Sequence, residues 1–231
     1  MLKKTLKLLL KIEVIQEIYW AQVFNFAIKN SIWLIKQNFN VGRMALGFPA
    51  LYVLYRILND IRPNSILELG LGESTKMTWQ YYKSFPDCKL QIIEENQEWL
   101  NFFTSEISDI KSNVKVLPLV RKKIEGYETQ VYSNLIENIS GKKYNLLIID
   151  GPSGSKKYSR SQIIDIINND LLDNDFVILI DDYHRAGEKQ TASKCLCLLQ
   201  EKGIKYFTAT YQGDKAVLVI CSEKYRYLKS L

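Results

Sequence analysis

Residues 65–76 read SILELGLGESTK, an apolar run that ends in a carboxylate and two glycines before a helix begins. Ser65 to Leu69 is short and apolar and follows Pro63, which suits a buried parallel strand. Gly70 and Gly72 permit close approaches that side chains deny, and Ser74 and Thr75 can cap the helix that follows. The amides at such a helix start favour a polar or anionic ligand group, and ligands of doubly wound sheets sit at the carboxyl ends of the strands. The stretch therefore reads as a strand-turn-helix that binds a nucleotide-like ligand.

Downstream of this turn the chain alternates strand with helix, the rhythm of a parallel sheet with covering helices. Strands are expected over 65–69, 88–93, 114–118, 144–149, 175–180, 204–210 and 215–221, and helices near 74–84, 96–107, 127–139, 159–169 and 187–201. Only the short stretch around YQGDK separates the last two strands, so the final strand should form a hairpin and run antiparallel to the rest. Upstream lie helical and aromatic patterns, broken at NFNVGRMALGFPA and resumed as a helix from about Ala50 to Asn59. The chain divides accordingly into a helical extension over 1–60 and an α/β domain over 61–231.

With 231 residues, 47% of them hydrophobic and 24% charged, the chain can bury one good core. Four irregularly spaced cysteines and a single histidine, His184, exclude a Cys/His metal site and suit a reduced, cytoplasmic setting. The net charge of +6 is concentrated at the start: residues 1–60 hold eight lysines and arginines against three acids. The remainder is nearly neutral and offers no footprint for nucleic acid. The opening MLKKTLKLLLKI intersperses Leu2, Leu6, Leu9 and Leu10 with Lys3, Lys4, Lys7 and Lys11, a helical pattern with a basic flank. Residues 1–12 are therefore a candidate for peripheral contact with an anionic membrane, the other reading being a helix that covers the core or a partner. The apolar core of this segment is too short for a signal peptide, and the longest apolar run, Met44 to Tyr55, is twelve residues, too short to span a bilayer.

Three clusters carry chemistry. In GLGEST the third glycine of the dinucleotide fingerprint is replaced by Thr75. Glu68, at the end of the strand, would repel a pyrophosphate yet could pair with an ammonium group, which points away from NAD and toward S-adenosylmethionine (SAM). The second strand ends in QIIEENQEW, about twenty residues beyond the glycines, where an acid accepts hydrogen bonds from a ribose diol; Glu94 is the first choice and Glu95 the next. YNLLIIDGP ends a strand at Asp150, and DFVILIDDYHR ends the next at Asp181 and Asp182. Adjacent strands lie about 5 Å apart, so these carboxylates should converge on one rim, where a hard divalent cation such as Mg²⁺ would relieve their crowding. His184 stands two residues beyond Asp182 with a side chain suited to proton transfer near neutrality. Between the metal candidates, the loop GPSGSKKYSRSQ offers Lys156, Lys157 and Arg160 to an acidic or hydroxyl-rich acceptor.

SILELGLGEST, QIIEENQEW, YNLLIIDGP and LIDDYHR resemble the successive motifs of class I SAM-dependent methyltransferases over about residues 60–221. More closely, the chain resembles bacterial methyltransferase-like proteins often encoded with surface-polysaccharide genes. The resemblance implies a Rossmann-like, seven-stranded, mostly parallel sheet in the order 3-2-1-4-5-7-6, with helices on both faces. It also implies Glu68, Gly70 and Gly72 around the methionine part and Glu94 on the ribose. Asp150, Asp181 and Asp182 are placed similarly to the acids of metal-dependent O-methyltransferases. Where catechol-type enzymes carry a lysine base three residues after the first metal aspartate, this chain has Ser153.

The expected function is SAM-dependent O-methylation of a hydroxyl on a small molecule, sugar or glycan precursor. The cofactor contacts would be Glu68, Gly70, Gly72, Ser74, Glu94 and Asp150, the metal ligands Asp150, Asp181 and Asp182, and the proton acceptor His184 or Lys156. The alternative is a non-catalytic scaffold of the same fold in a surface-glycan assembly complex. The oligomeric state is left open by the sequence.

Overall fold

The structure is a computed structural model that describes residues 2–42 and 45–231; for residues 2–11 and 108 it describes the backbone alone. Met1 and Met44, the first residues of the opening segment and of the longest apolar run, lie outside the described residues, as do the side chains of Leu2 to Lys11.

Two helices lead in: α1 (Leu2–Ile28) and α2 (Phe48–Arg56). The second passes into a π-turn over Ile57–Ile61 that Arg62 ends in the left-handed conformation, just before Pro63. The α/β part then runs β1 (Ser65–Leu69), α3 (Glu73–Ser84), β2 (Lys89–Glu94), α4 (Gln97–Glu106), β3 (Val114–Val116), β4 (Leu119–Ile124), β5 (Tyr127–Tyr132), α5 (Leu135–Ile139), β6 (Tyr144–Ile149), α6 (Gln162–Asn168), β7 (Leu172–Ile180), α7 (Ala186–Glu201), β8 (Tyr206–Gln212) and β9 (Ala216–Ser222).

Seven strands form one sheet in the order β3-β2-β1-β6-β7-β9-β8, which is 3-2-1-4-5-7-6 once the separate β4-β5 pair is set aside. The pairings from β3 to β7 are parallel, whereas β9 runs antiparallel to both β7 and β8. Ile66, Ile92, Leu146, Ile148, Val177, Leu179, Val217 and Val219 face α2, α3 and the inner side of α1. Their neighbours Leu67, Ile93, Leu147, Ile149, Ile178, Ile180 and Leu218 face α6 and α7. Burial on both faces is why these strands read as continuous apolar runs, each buried Leu, Ile or Val contributing about 1.5–3 kcal/mol.

One expected helix is corrected. Residues 127–132 of the stretch 127–139 form the second strand of an antiparallel hairpin, and only Leu135–Ile139 is helical. In YETQVY, Thr129 and Val131 are buried while Glu128 and Gln130 are exposed, a period of two rather than 3.6. Glu125 and Gly126, both at positive φ, make the tight turn that the hairpin requires.

The lead-in shares the core of the sheet: Phe24, Ile28, Trp33 and Leu34 pack in the same cluster as Ile66 and Met77. Trp20 donates its indole N–H to the Gln212 carbonyl at 2.9 Å. Glu17 accepts from the Phe48 amide at 2.7 Å and from the Asp214 amide at 2.9 Å. Its carboxylate thus supplies the anionic partner that Gly47, the residue before α2, cannot provide.

Candidate active site

A cleft of about 670 Å³ opens at the carboxyl ends of β1, β2, β6 and β7, lined among others by Gly70, Leu71, Gly72, Glu94, Asp150 and Lys215. The backbone ladder continues past the strand ends, with the amides of Gly70, Asp150 and Asp181 donating to the carbonyls of Ile93, Leu69 and Ile149 at 2.8, 2.9 and 3.1 Å. These bonds bring the three strand-end turns into one rim.

The two glycines of the first turn do different work. Gly70 has φ +99°, and a Cβ there would lie 2.9 Å from the Gly151 amide nitrogen. Two backbones cross at that point and neither tolerates a side chain. A Cβ on Gly72 would meet nothing within 4 Å, so its missing side chain leaves room in the cleft rather than relieving a clash inside the protein.

Glu68 does not line the cleft, contrary to its expected place beside a cofactor ammonium, and neither does Ser74. Strand alternation puts Glu68 beneath α3, fully buried, where it accepts hydrogen bonds from Ser74, from Thr75 at 2.9 Å and from Thr78 at 2.8 Å. Burial pushes its pKa up to about 7 against the pull of these three hydroxyls. It anchors the start of α3, and thereby holds the turn above it.

Glu94 lies in the cleft and accepts three backbone amides: Leu71 on one oxygen, Glu95 and Asn96 on the other, each at 2.9 Å. Burial raises its pKa, and the amides oppose the rise. The first oxygen keeps a free lone pair, as an acceptor for a ligand hydroxyl requires. Glu95 accepts from the Ser153 hydroxyl at 3.0 Å and the Tyr132 hydroxyl at 3.2 Å. Trp99 donates its indole N–H to the Leu71 carbonyl at 2.7 Å and stacks on Phe102, which makes one wall of the cleft aromatic.

Asp150, Asp181 and Asp182 do converge, with one oxygen of each lying within 4.8 Å of the others. Asp182 has φ +56°, and this left-handed step interrupts the strand alternation at the Asp181–Asp182 pair. A buried Arg160 lies among them. Its Nη2 is 2.9 Å from Asp182 Oδ2 and 3.0 Å from Asp150 Oδ1, and its Nη1 donates to the Asp181 carbonyl at 2.9 Å. Arg185 is also 2.9 Å from Asp182 Oδ2, and Lys215 is 3.4 Å from Asp182 Oδ1. Burial would raise Asp182, yet Arg160, Lys215 and Arg185 together hold it below the usual carboxylate range. Asp181 is shifted upward by burial and by Asp182, and Asp150 is shifted well upward, chiefly by burial.

No protein-family model matches the sequence, and no curated protein is detectably similar to it. Solved structures do match. The O-methyltransferase TomG from Streptomyces achromogenes, involved in tomaymycin synthesis and in complex with SAM, superposes with a TM-score of 0.57 at 13% identity, over 89% of this chain and 98% of that one. A SAH-bound methyltransferase from Podospora anserina matches at 0.52 and 15% identity, over 88% and 94% of the two chains. An O-methyltransferase from Bacillus cereus in complex with SAH matches at 0.51 and 13% identity, over 90% of each. The chain has the Rossmann-like methyltransferase fold.

Within this methyltransferase fold several sequence expectations change. His184 and Lys156 are exposed and do not line the cleft, so neither is placed to take a proton there. Arg160, expected to reach outward to an acceptor, turns inward instead, because three crowded carboxylates offer a stronger partner than water does. Lys215 enters from the hairpin between β8 and β9, and no local motif announces it; its Nζ donates to the Ala45 carbonyl at 2.8 Å. The oxygens Asp181 Oδ1 and Asp182 Oδ1 are buried without a hydrogen-bond partner, and Arg160 engages the other oxygen of Asp182. The all-oxygen donor set suits a hard divalent cation such as Mg²⁺, which would take Asp182 Oδ1 in place of Lys215, 3.4 Å away.

Proposed function

We propose that the protein is a SAM-dependent O-methyltransferase acting on a hydroxyl of a sugar or glycan precursor, in a bacterial, cytoplasmic setting linked to surface-polysaccharide synthesis. One observation carries this reading: a single cleft joins the open side of Gly72, the amide-held Glu94 and the aspartate rim. When bound, SAM would supply an electrophilic methyl group, its S–C bond breaking as the hydroxyl O–C bond forms, with S-adenosylhomocysteine as leaving group and the hydroxyl proton passing to solvent water. A divalent cation held by Asp150, Asp181 and Asp182 would lower the pKa of that hydroxyl.

The chain's own groups bind and orient. Glu94 accepts a ribose hydroxyl on its remaining lone pair, and Gly72 lets the ligand approach the backbone. Trp99 and Phe102 offer an aromatic wall to a purine. Arg160 fixes Asp150 and Asp182 by holding one oxygen of each. Asn40, Ser153, Arg185 and Lys215, all lining the cleft, provide the polar surface that a hydroxyl-rich acceptor needs.

Isothermal titration should show SAM binding that Glu94→Ala weakens. Mn²⁺ bound to the protein, read by electron paramagnetic resonance, should be lost in Asp181→Asn, and turnover should fall with EDTA. Turnover indifferent to EDTA and to Asp181→Asn would remove the metal from this reading. A second reading is a non-catalytic scaffold of a glycan-assembly complex. It is favoured by Arg160, Arg185 and Lys215, which already oppose the aspartate charge, and by the absence of a histidine among the described cleft-lining residues. Failure to bind SAM at millimolar concentration would select it.

A further inference from the structure

We propose that the outer face of α1 lies in the plane of an anionic lipid surface. Of the thirteen large hydrophobic side chains exposed among the described residues, eight fall between Ile12 and Ile35. Ile15, Ile18, Tyr19 and Phe26 are 64, 59, 60 and 74% exposed. At 3.6 residues per turn, Ile15 stands about 180° around the helix from Phe24, which is in the core, so the helix has a body-facing side and an apolar outer side. Ile32 and Ile35, 86 and 73% exposed, add to the apolar surface just beyond its end.

Charge decides what covers this face. Lys3, Lys4, Lys7 and Lys11 precede the first acid, Glu13, and the next acid, Glu17, is engaged with the Phe48 and Asp214 amides. A second copy of the chain laid parallel on this face would set four lysines against four. Laid antiparallel, it would bring them near the C-terminal end of α1, which carries no acid. Anionic headgroups meet the lysines, and acyl chains take the isoleucines. Among the described residues no helix is long and apolar enough to cross a membrane, so the contact lies along the surface. The inference is independent of the proposed activity.

The test is sedimentation of the full-length chain with phosphatidylcholine vesicles, with and without about 30% phosphatidylglycerol. Binding is expected to the anionic vesicles and to weaken with salt. It should drop at least about tenfold in Ile15→Glu/Ile18→Glu and in the fourfold Lys→Gln variant of residues 3, 4, 7 and 11. Ile15 and Ile18 are exposed, away from the core, and an unchanged melting temperature confirms that both variants fold. Failure of the wild type to sediment with anionic vesicles would overturn the proposal. So would a concentration-dependent dimer that Ile15→Glu/Ile18→Glu dissociates without any vesicle binding.

Discussion

Arg160 Nη2 lies 2.9 Å from Asp182 Oδ2 and 3.0 Å from Asp150 Oδ1, so one buried guanidinium ties together the ends of β6 and β7. Removing one partner of a buried charge pair leaves the other uncompensated. Arg160→Met should therefore destabilise the fold by about 3–5 kcal/mol in denaturant unfolding. Adding Asp182→Asn should recover part of that loss, giving a coupling energy of about 0.5–3 kcal/mol in the double-mutant cycle.

Glu68 carries a pH dependence. Its folded-state pKa is raised from 4.5 to about 7, so the folded protein holds the proton more tightly than the unfolded chain. The resulting stabilisation is complete below the unfolded value and is lost as the pH rises toward 7, a fall of about 3 kcal/mol. Glu68→Gln cannot titrate and should flatten that part of the profile, measured by urea unfolding between pH 4.5 and 8. An unchanged slope would contradict the raised pKa.

The glycines separate folding from binding. Gly151→Ala would place a Cβ 2.8 Å from the Gly70 amide nitrogen, against backbone that cannot swing aside, and should cost more than about 2 kcal/mol. Gly72→Ala meets nothing within 4 Å and should leave stability within about 0.5 kcal/mol of wild type. It should nonetheless raise the Kd for SAM by about tenfold, or 1.4 kcal/mol, because the methyl group occupies ligand space. Thermal unfolding paired with titration calorimetry distinguishes the two.

Glu94→Ala strips the acceptor from the amides of Leu71, Glu95 and Asn96 and should cost about 1–3 kcal/mol of stability. SAM affinity should fall more than tenfold, or 1.4 kcal/mol, because the turn from Leu71 loses its tether along with the ribose contact. Glu94→Gln keeps one acceptor oxygen but turns its NH2 toward the remaining backbone amide donor, so it should recover only part of the stability and less of the affinity.

Most of the sheet was legible because its strands are buried on both faces and so read as apolar runs, from SILEL to VILI. The hairpin of β4 and β5 was not: LVRKKI and YETQVY are half-exposed, and their alternation is weak against the helical character of the LIENI that follows. In the site, the convergence of Asp150, Asp181 and Asp182 followed from strand adjacency alone. The partners of these acids did not, because Arg160 and Lys215 arrive from a loop and a hairpin whose paths no local pattern encodes. Glu68 was recognised as an acid at a strand end, but sequence spacing does not reveal that three hydroxyls of α3, above it, occupy its oxygens.

The bond from the Asp214 amide to Glu17 spans 197 positions of the chain, and the Trp20 indole reaches Gln212 across 192. On a ribosome adding about 5–20 residues per second, α1 therefore waits on the order of 10–40 s for the hairpin it packs against. During that interval only α2 is there to cover its inner side, and the outer side stays bare. The sheet-facing contacts of α1 are therefore among the last of the fold to form during synthesis.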